Sequence, residues 1–134
     1  AKPAQGMVAI YVAQAIKNGK IVVKGSLKRT RDFVYIYDVI NYLRKIENNK
    51  KSFSKAINLC SGEEFTVEVV VNHIRNVLNK NVEIFSSGST PGDISRMVGD
   101  NSLLREITGS YFHTSLYDGI AEMIKRYYED KYYK

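Results

Sequence analysis

Arg31-Asp-Phe-Val-Tyr-Ile-Tyr-Asp38 is the stretch on which the reading of this chain turns. A basic residue opens a run of aromatic and β-branched side chains, the composition that favours a strand. An acid closes it where helical periodicity begins. The run is therefore expected to form a strand over 31–37, with Asp38 as the N-cap of a helix to about residue 46. That layout sets one guanidinium at a strand mouth and buries the rest. Two chemistries fit it. Arg31 could clamp phosphate, or Phe33 and Tyr35 could form a platform on which nucleobases stack.

Outward from this segment the chain alternates helices and short strands. Residues 7–16 carry apolar side chains at helical spacing and end at Asn18-Gly19, a C-cap signal. Residues 21–23 read as a strand stopped by Gly25. After the 31–38 segment and its helix comes a polar loop over 47–51. Residues 56–60 read as a strand ending in the Ser61-Gly62 turn. Thr66 is expected to cap a helix through Leu78, with Glu68 well placed in its first turn. Residues 82–85 form another strand, and 86–93 are loop. Asp100 caps a short helix to about Ile107, and Ser115 caps the last one. The buried stripe of that last helix is Leu116, Ile120, Met123, Ile124 and Tyr127. Strands interleaved with helices give an α/β fold, a small mixed αβ unit in a single domain spanning 1–134.

Composition sets the outer limits. The chain has 134 residues, 44% hydrophobic and 25% charged, typical of a soluble globular protein able to bury a core. No apolar run approaches the roughly 20 residues needed to span a bilayer, and no secretory signal is visible at the N-terminus. Cys60 is the single cysteine, so an internal disulfide is ruled out and a reducing, cytoplasmic location is expected. With His73 and His113 as the two histidines, a structural zinc site and any other metal are not expected. The net charge of +6 suits an anionic partner, although the lysines are spread over solvated helix ends and loops.

No catalytic constellation is complete. The nine glycines never fall into a G-x-G-x-x-G or P-loop arrangement. Tyr127 and Lys131 stand in Y-x-x-x-K spacing with Ser115 upstream, a pattern in which lysine lowers a tyrosine pKa for proton exchange. Ser115 and Tyr127 share one helix, however, and lie roughly three turns apart at about 1.5 Å per residue. They cannot meet on one substrate atom, and no catalytic residue is assigned.

Five motifs read in order carry a resemblance. Pro3 and Gln5 match the end of a G-P-x-Q loop, and residues 20–25 a strand before a glycine turn. The 31–38 segment matches R-D-F-V-Y-V-x-D, and Asn58-Leu-Cys-Ser-Gly62 matches N-I-G-S-G. Pro91-Gly-Asp93, followed by Arg96 and Asp100, matches P-G-D…R…x-D. Over nearly all its length the chain resembles the C-terminal, substrate-binding part of NAD-dependent nucleotide-sugar epimerases and dehydratases. These form the extended short-chain dehydrogenase/reductase family. The chain departs from the family pattern at Thr90, Lys24, Leu27 and Cys60. There many relatives carry, in turn, an arginine, an aromatic residue, a glycine and a glycine.

The resemblance implies a substrate-binding lobe that lacks the dinucleotide-binding core, a fragment of a larger enzyme. Arg31 would bind the diphosphate of a nucleotide-sugar, a charge-assisted contact of about 1.5–3 kcal/mol. Asp93 would contact the ribose or shape its loop. Arg96 would line the nucleotide pocket or pair with Asp100. Val22 and Val23 would hold the base through backbone groups and apolar contact. NAD would belong to the intact enzyme and not bind this fragment, which would not turn over substrate alone. The intact enzyme, resembling a UDP-glucose 4-epimerase, would be a possible homodimer without nucleic-acid or membrane partners. Base, sugar, and epimerase against dehydratase stay open. Two alternatives stand beside this reading: a non-catalytic nucleotide-sugar sensor or scaffold, and an RNA-binding module built on Phe33 and Tyr35.

Overall fold

Each helix forms where apolar side chains recur on one face, and the strands fill the intervals. The computed structural model describes residues 5–88, 92, 94–109 and 113–129. Their order is α1 (Met7–Asn18), β1 (Lys20–Lys24), β2 (Thr30–Arg31), α2 (Ile36–Ile46), a 3-10 turn (Lys50–Ser52), β3 (Phe65–Thr66), α3 (Val67–Leu78), β4 (Glu83–Ser87), α4 (Ser102–Thr108) and α5 (Leu116–Glu129). The strands make two small sheets. β1 and β4 run parallel, with Ile21 opposite Ile84 and Val22 opposite Phe85. β2 and β3 run antiparallel, with Thr30 opposite Thr66 and Arg31 opposite Phe65. The expected mixed α/β architecture is therefore present.

The core lies between one face of the β1–β4 sheet and three helices. Tyr11, Val12 and Ala15 of α1 meet Ile21 and Val23 of β1, while α3 contributes Val67, Val70, Val71 and Ile74, and α5 contributes Ile120 and Ile124. Each such fully buried aliphatic side chain stabilises the fold by about 1.5–3 kcal/mol. A smaller cluster joins α2 to α4, with Tyr42, Leu104 and Ile107 nearly inaccessible. Gly19 ends α1 in the left-handed region (φ 64°), its N–H on the Ala15 carbonyl, as the Asn-Gly signal anticipated. Thr66 caps α3 through its hydroxyl, which accepts from Val69 N at 3.2 Å. Thr66→Ala is expected to cost about 1 kcal/mol of stability, read as a lower urea midpoint with an unchanged slope.

Three expectations are corrected. The strand over 31–37 stops after Arg31, and residues 33–35 are irregular. The reason is the register: the next antiparallel pair would set Asp32 directly against Glu64, and like charges in that position destabilise a ladder. α2 then begins at Ile36 with Tyr35 in the N-cap position, so Asp38 is not the cap. It sits in the first turn, where the helix dipole favours an acid, and only 5% of it is exposed. Residues 56–60 form no strand, and none of the described residues pairs with them in a ladder; Asn58 donates from its amide to the Asp100 carbonyl at 3.1 Å. Elsewhere the adjustments are small. β4 extends to Ser87, shortening the expected loop. Asn101 occupies the N-cap position of α4, while the Asp100 carboxylate accepts from Ser102 N at 2.8 Å and Ser102 Oγ at 2.6 Å. Ser115 caps α5 as anticipated, accepting from Asp118 N at 3.1 Å.

Candidate functional site

β2 is the organising element, although it is only two residues long. Beside β3, it is flanked by residues 94–96: Thr30 N donates to the Ser95 carbonyl at 2.9 Å. The Arg31 guanidinium reaches the same segment, with Nη1 donating to the Ile94 carbonyl at 2.7 Å and to the Thr30 carbonyl at 2.6 Å. Arg96 follows two residues later on that strip. Its Nε donates to both carboxylate oxygens of Glu64, at 2.8 and 3.0 Å, and the Thr30 hydroxyl donates to the same Glu64. Arg31 and Arg96 thus both meet the strip of residues 94–96 beside β2, Arg31 through the Ile94 carbonyl and Arg96 as part of it, paired with Glu64.

The Arg96 guanidinium, then the Thr30 hydroxyl, hold the Glu64 carboxyl below the usual carboxylate range. The same hydrogen bond raises Arg96 above its ordinary value. A depressed carboxyl adds its stabilisation above the unfolded carboxylate pKa and loses it as pH falls through the lowered value. Both groups face solvent, so the pair is weak in water. Arg96 therefore pairs with Glu64 and not with Asp100, whose carboxylate is engaged by Ser102.

Behind this edge Asp32 ties three distant segments together. Its Oδ1 accepts from Ser61 N at 2.9 Å and Ser61 Oγ at 2.6 Å, and its Oδ2 from Gly62 N at 2.9 Å and Gly99 N at 3.1 Å. Asn101 completes the knot, its amide donating to the Ser61 carbonyl at 2.8 Å. Gly99 is required by close approach, because a Cβ there would overlap Cys60 Sγ and lie 2.7 Å from Cys60 Cβ. Burial, and then the Asp32 charge, push the Cys60 thiol up. This arrangement fixes where residues 94–99 cross β2.

The other sequence-derived positions are distributed as follows. Val23 points into the core and is fully buried, whereas Val22 faces outward beside Phe85. The Val22 N–H donates to Gln14 Oε1 at 2.9 Å. Because the Gly19 carbonyl and Gly25 N–H turn toward β4, alternation places the Val22 carbonyl on the opposite edge. Asp93 lies outside the described residues, as do Pro3, Thr90, Pro91 and Lys131. Phe33 packs on the core, and with Tyr35 it lines an apolar crevice of about 90 Å³ formed with Val8, Leu116, Ile120 and Met123. Those two rings do not project from a common strand. Tyr127 stands in α5, the helix that Ser115 caps, so Ser115 and Tyr127 do not converge.

Sequence reasoning missed Asp32, Glu64, Gln14 and Gly99. Each acts on a residue remote in sequence, and nothing local signals it. The chemistry available at this edge is anion binding by two guanidiniums and a hydroxyl. Among the described residues no group of His, Cys, Asp or Glu is placed to hold a metal, and no helix is long and apolar enough to cross a membrane. The described residues also do not form a dinucleotide cradle, which needs a helix N-terminus directly behind a glycine turn. β1 leads to β2, and the helix after β4 starts only at Ser102.

No family model matches the chain. UDP-glucuronic acid decarboxylase 3 of Arabidopsis thaliana is 27% identical over 118 residues, which are 87% of this chain and 34% of that protein. Among solved structures, the NAD-dependent NDP-hexosamine 5,6-dehydratase TunA of tunicamycin biosynthesis aligns with a TM-score of 0.86 at 20% identity, over 96% of this chain and 42% of that one. UDP-glucuronic acid 4-epimerase from Bacillus cereus, solved with UDP-glucuronic acid and NAD, aligns with a TM-score of 0.81 at 21% identity, over 91% of this chain and 40% of that one. These similar proteins are a decarboxylase, a dehydratase and an epimerase named for nucleotide-sugars, the dehydratase NAD-dependent and the epimerase solved with NAD. The chain has the fold of a partial region of these extended short-chain dehydrogenase/reductase enzymes and spans about a third of the length of the curated relative.

Proposed function

We propose that this chain is the nucleotide-sugar-binding portion of an NAD-dependent epimerase, dehydratase or decarboxylase. In this reading it grips the nucleoside diphosphate and so positions the sugar. The observation that supports the proposal is that residues 94–96, which run alongside β2, both receive the Arg31 guanidinium, at the Ile94 carbonyl, and carry Arg96. Two guanidiniums on neighbouring strips suit the two phosphoryl groups of a diphosphate, and binding there holds a non-reacting part of the substrate. Val22 places the base along the outer edge of β1, Val23 being committed to the core and to the ladder with β4, and Asp93 serves the ribose. In this reading cofactor chemistry belongs to the intact enzyme.

UDP is the probe of choice, given that several relatives are named for UDP-sugars. UDP should raise the melting temperature of the chain, with little response to NAD alone. Arg31→Ala should abolish the UDP response. Arg31→Lys should retain part of it, because lysine keeps the charge and loses the planar fork. Circular dichroism checks that both variants fold. An undiminished UDP response in folded Arg31→Ala overturns the role assigned to Arg31.

A further inference from the structure

The anion-binding edge already contains an anion. Glu64 sits one position past the β2–β3 ladder, and its carboxylate contacts two donors, the Thr30 hydroxyl and Arg96 Nε. Both donors flank Arg31, which itself touches the Thr30 and Ile94 carbonyls. A phosphoryl group beside Arg31 would call on these same donors. The pair is also built to open. The Arg96 side chain is 70% exposed and that of Glu64 28%, and an exposed pair between flexible side chains contributes little in water. Glu64 accepts from these two side chains, unlike Asp32, whose carboxylate accepts from three backbone N–H groups.

We infer that Glu64 is a built-in counter-anion, which holds Arg96 in the ligand-free chain and yields it to a phosphoryl group of the ligand. The inference rests on the diphosphate reading above and adds a residue that sets affinity by competition. Glu64 keeps Arg96 oriented toward the edge while no ligand is present. It opposes ligands too weakly charged to displace it.

Titration calorimetry with UDP on the wild-type chain, Glu64→Gln, Arg96→Ala and the double variant tests this. Glutamine preserves size and the hydrogen bond from Thr30 while removing the charge. Glu64→Gln should bind UDP about five- to tenfold more tightly. The gain should vanish in the Arg96→Ala background, because the released group is Arg96 itself. An unchanged or weakened affinity in Glu64→Gln overturns the inference. So does a gain that persists without Arg96, which would reflect general repulsion alone. No heat with UDP from any of the four chains would instead overturn the diphosphate reading, so the two failures are distinguishable.

Discussion

Replacing Asp32 with Ala should cost about 3–5 kcal/mol of stability and eliminate the UDP response together with it. The carboxylate is the shared acceptor of three backbone N–H groups and the Ser61 hydroxyl. A hydrogen bond to a charged acceptor contributes about 1.5–3 kcal/mol, and a buried donor left without a partner loses its desolvation energy in full. Water can reach Gly62, which is exposed. It cannot readily reach Ser61, only 3% exposed. The loss is therefore set mainly by Ser61 and Gly99 and not by all four bonds. Asparagine is not a rescue, since its amide would turn two donors toward two N–H groups. Urea unfolding of Asp32→Ala and Asp32→Asn reads the effect as a fall in midpoint at unchanged slope. A loss below about 1 kcal/mol in Asp32→Ala would show that the knot is incidental to the fold.

Legibility in the sequence followed the range of the interaction. α1, α3 and α5 were readable because their determinants are local: the apolar stripe, the Asn18-Gly19 stop, and the Thr66 and Ser115 caps. The 31–38 segment was misread for the opposite reason. Its β-branched and aromatic residues do not form a ladder: Phe33 packs on the core, whereas Ile36 and Tyr37 are exposed in the first turn of α2. Whether such residues form a strand depends on a partner, and past Arg31 that partner would have to come from the residues before Phe65, beginning with Glu64 opposite Asp32. Propensity cannot report where a partner ends.

The site divides in the same way. Arg31 and Arg96 were singled out from motif spacing, and in the structure Arg31 donates to the Ile94 carbonyl while Arg96, two residues on, pairs with Glu64. Their acids were not identifiable. Asp32 and Glu64 lie where either could have been taken for solvated charge, yet one knits three segments and the other occupies the guanidinium of Arg96. A carboxylate's role depends on the donors that converge on it, and those donors come from residues 61–62, 96 and 99.

Asp38 offers the sharpest contrast between a local and a tertiary role. As a helix cap it would contribute about 0.5–2 kcal/mol, independent of the rest of the chain. In the structure its Oδ2 accepts from Thr114 N at 2.6 Å and its Oδ1 from Thr114 Oγ1 at 3.1 Å, fastening α2 to the residues that lead into α5. It is almost fully buried, so the groups it satisfies have little access to water in its absence. Asp38→Ala is therefore expected to cost about 2–4 kcal/mol. Asp38→Asn should cost less, because its oxygen can still accept from Thr114 N while its amide donates to the Thr114 hydroxyl. The decisive measurement is a double-mutant cycle of Asp38→Ala with Thr114→Val, followed by urea unfolding. A local cap predicts additivity within about 0.5 kcal/mol, whereas the observed contact predicts a coupling of about 1 kcal/mol or more. Additive losses would return Asp38 to the role of an ordinary first-turn acid. Coupled losses would establish that the start of α5 is held from α2, across the apolar crevice that Tyr35 and Leu116 line.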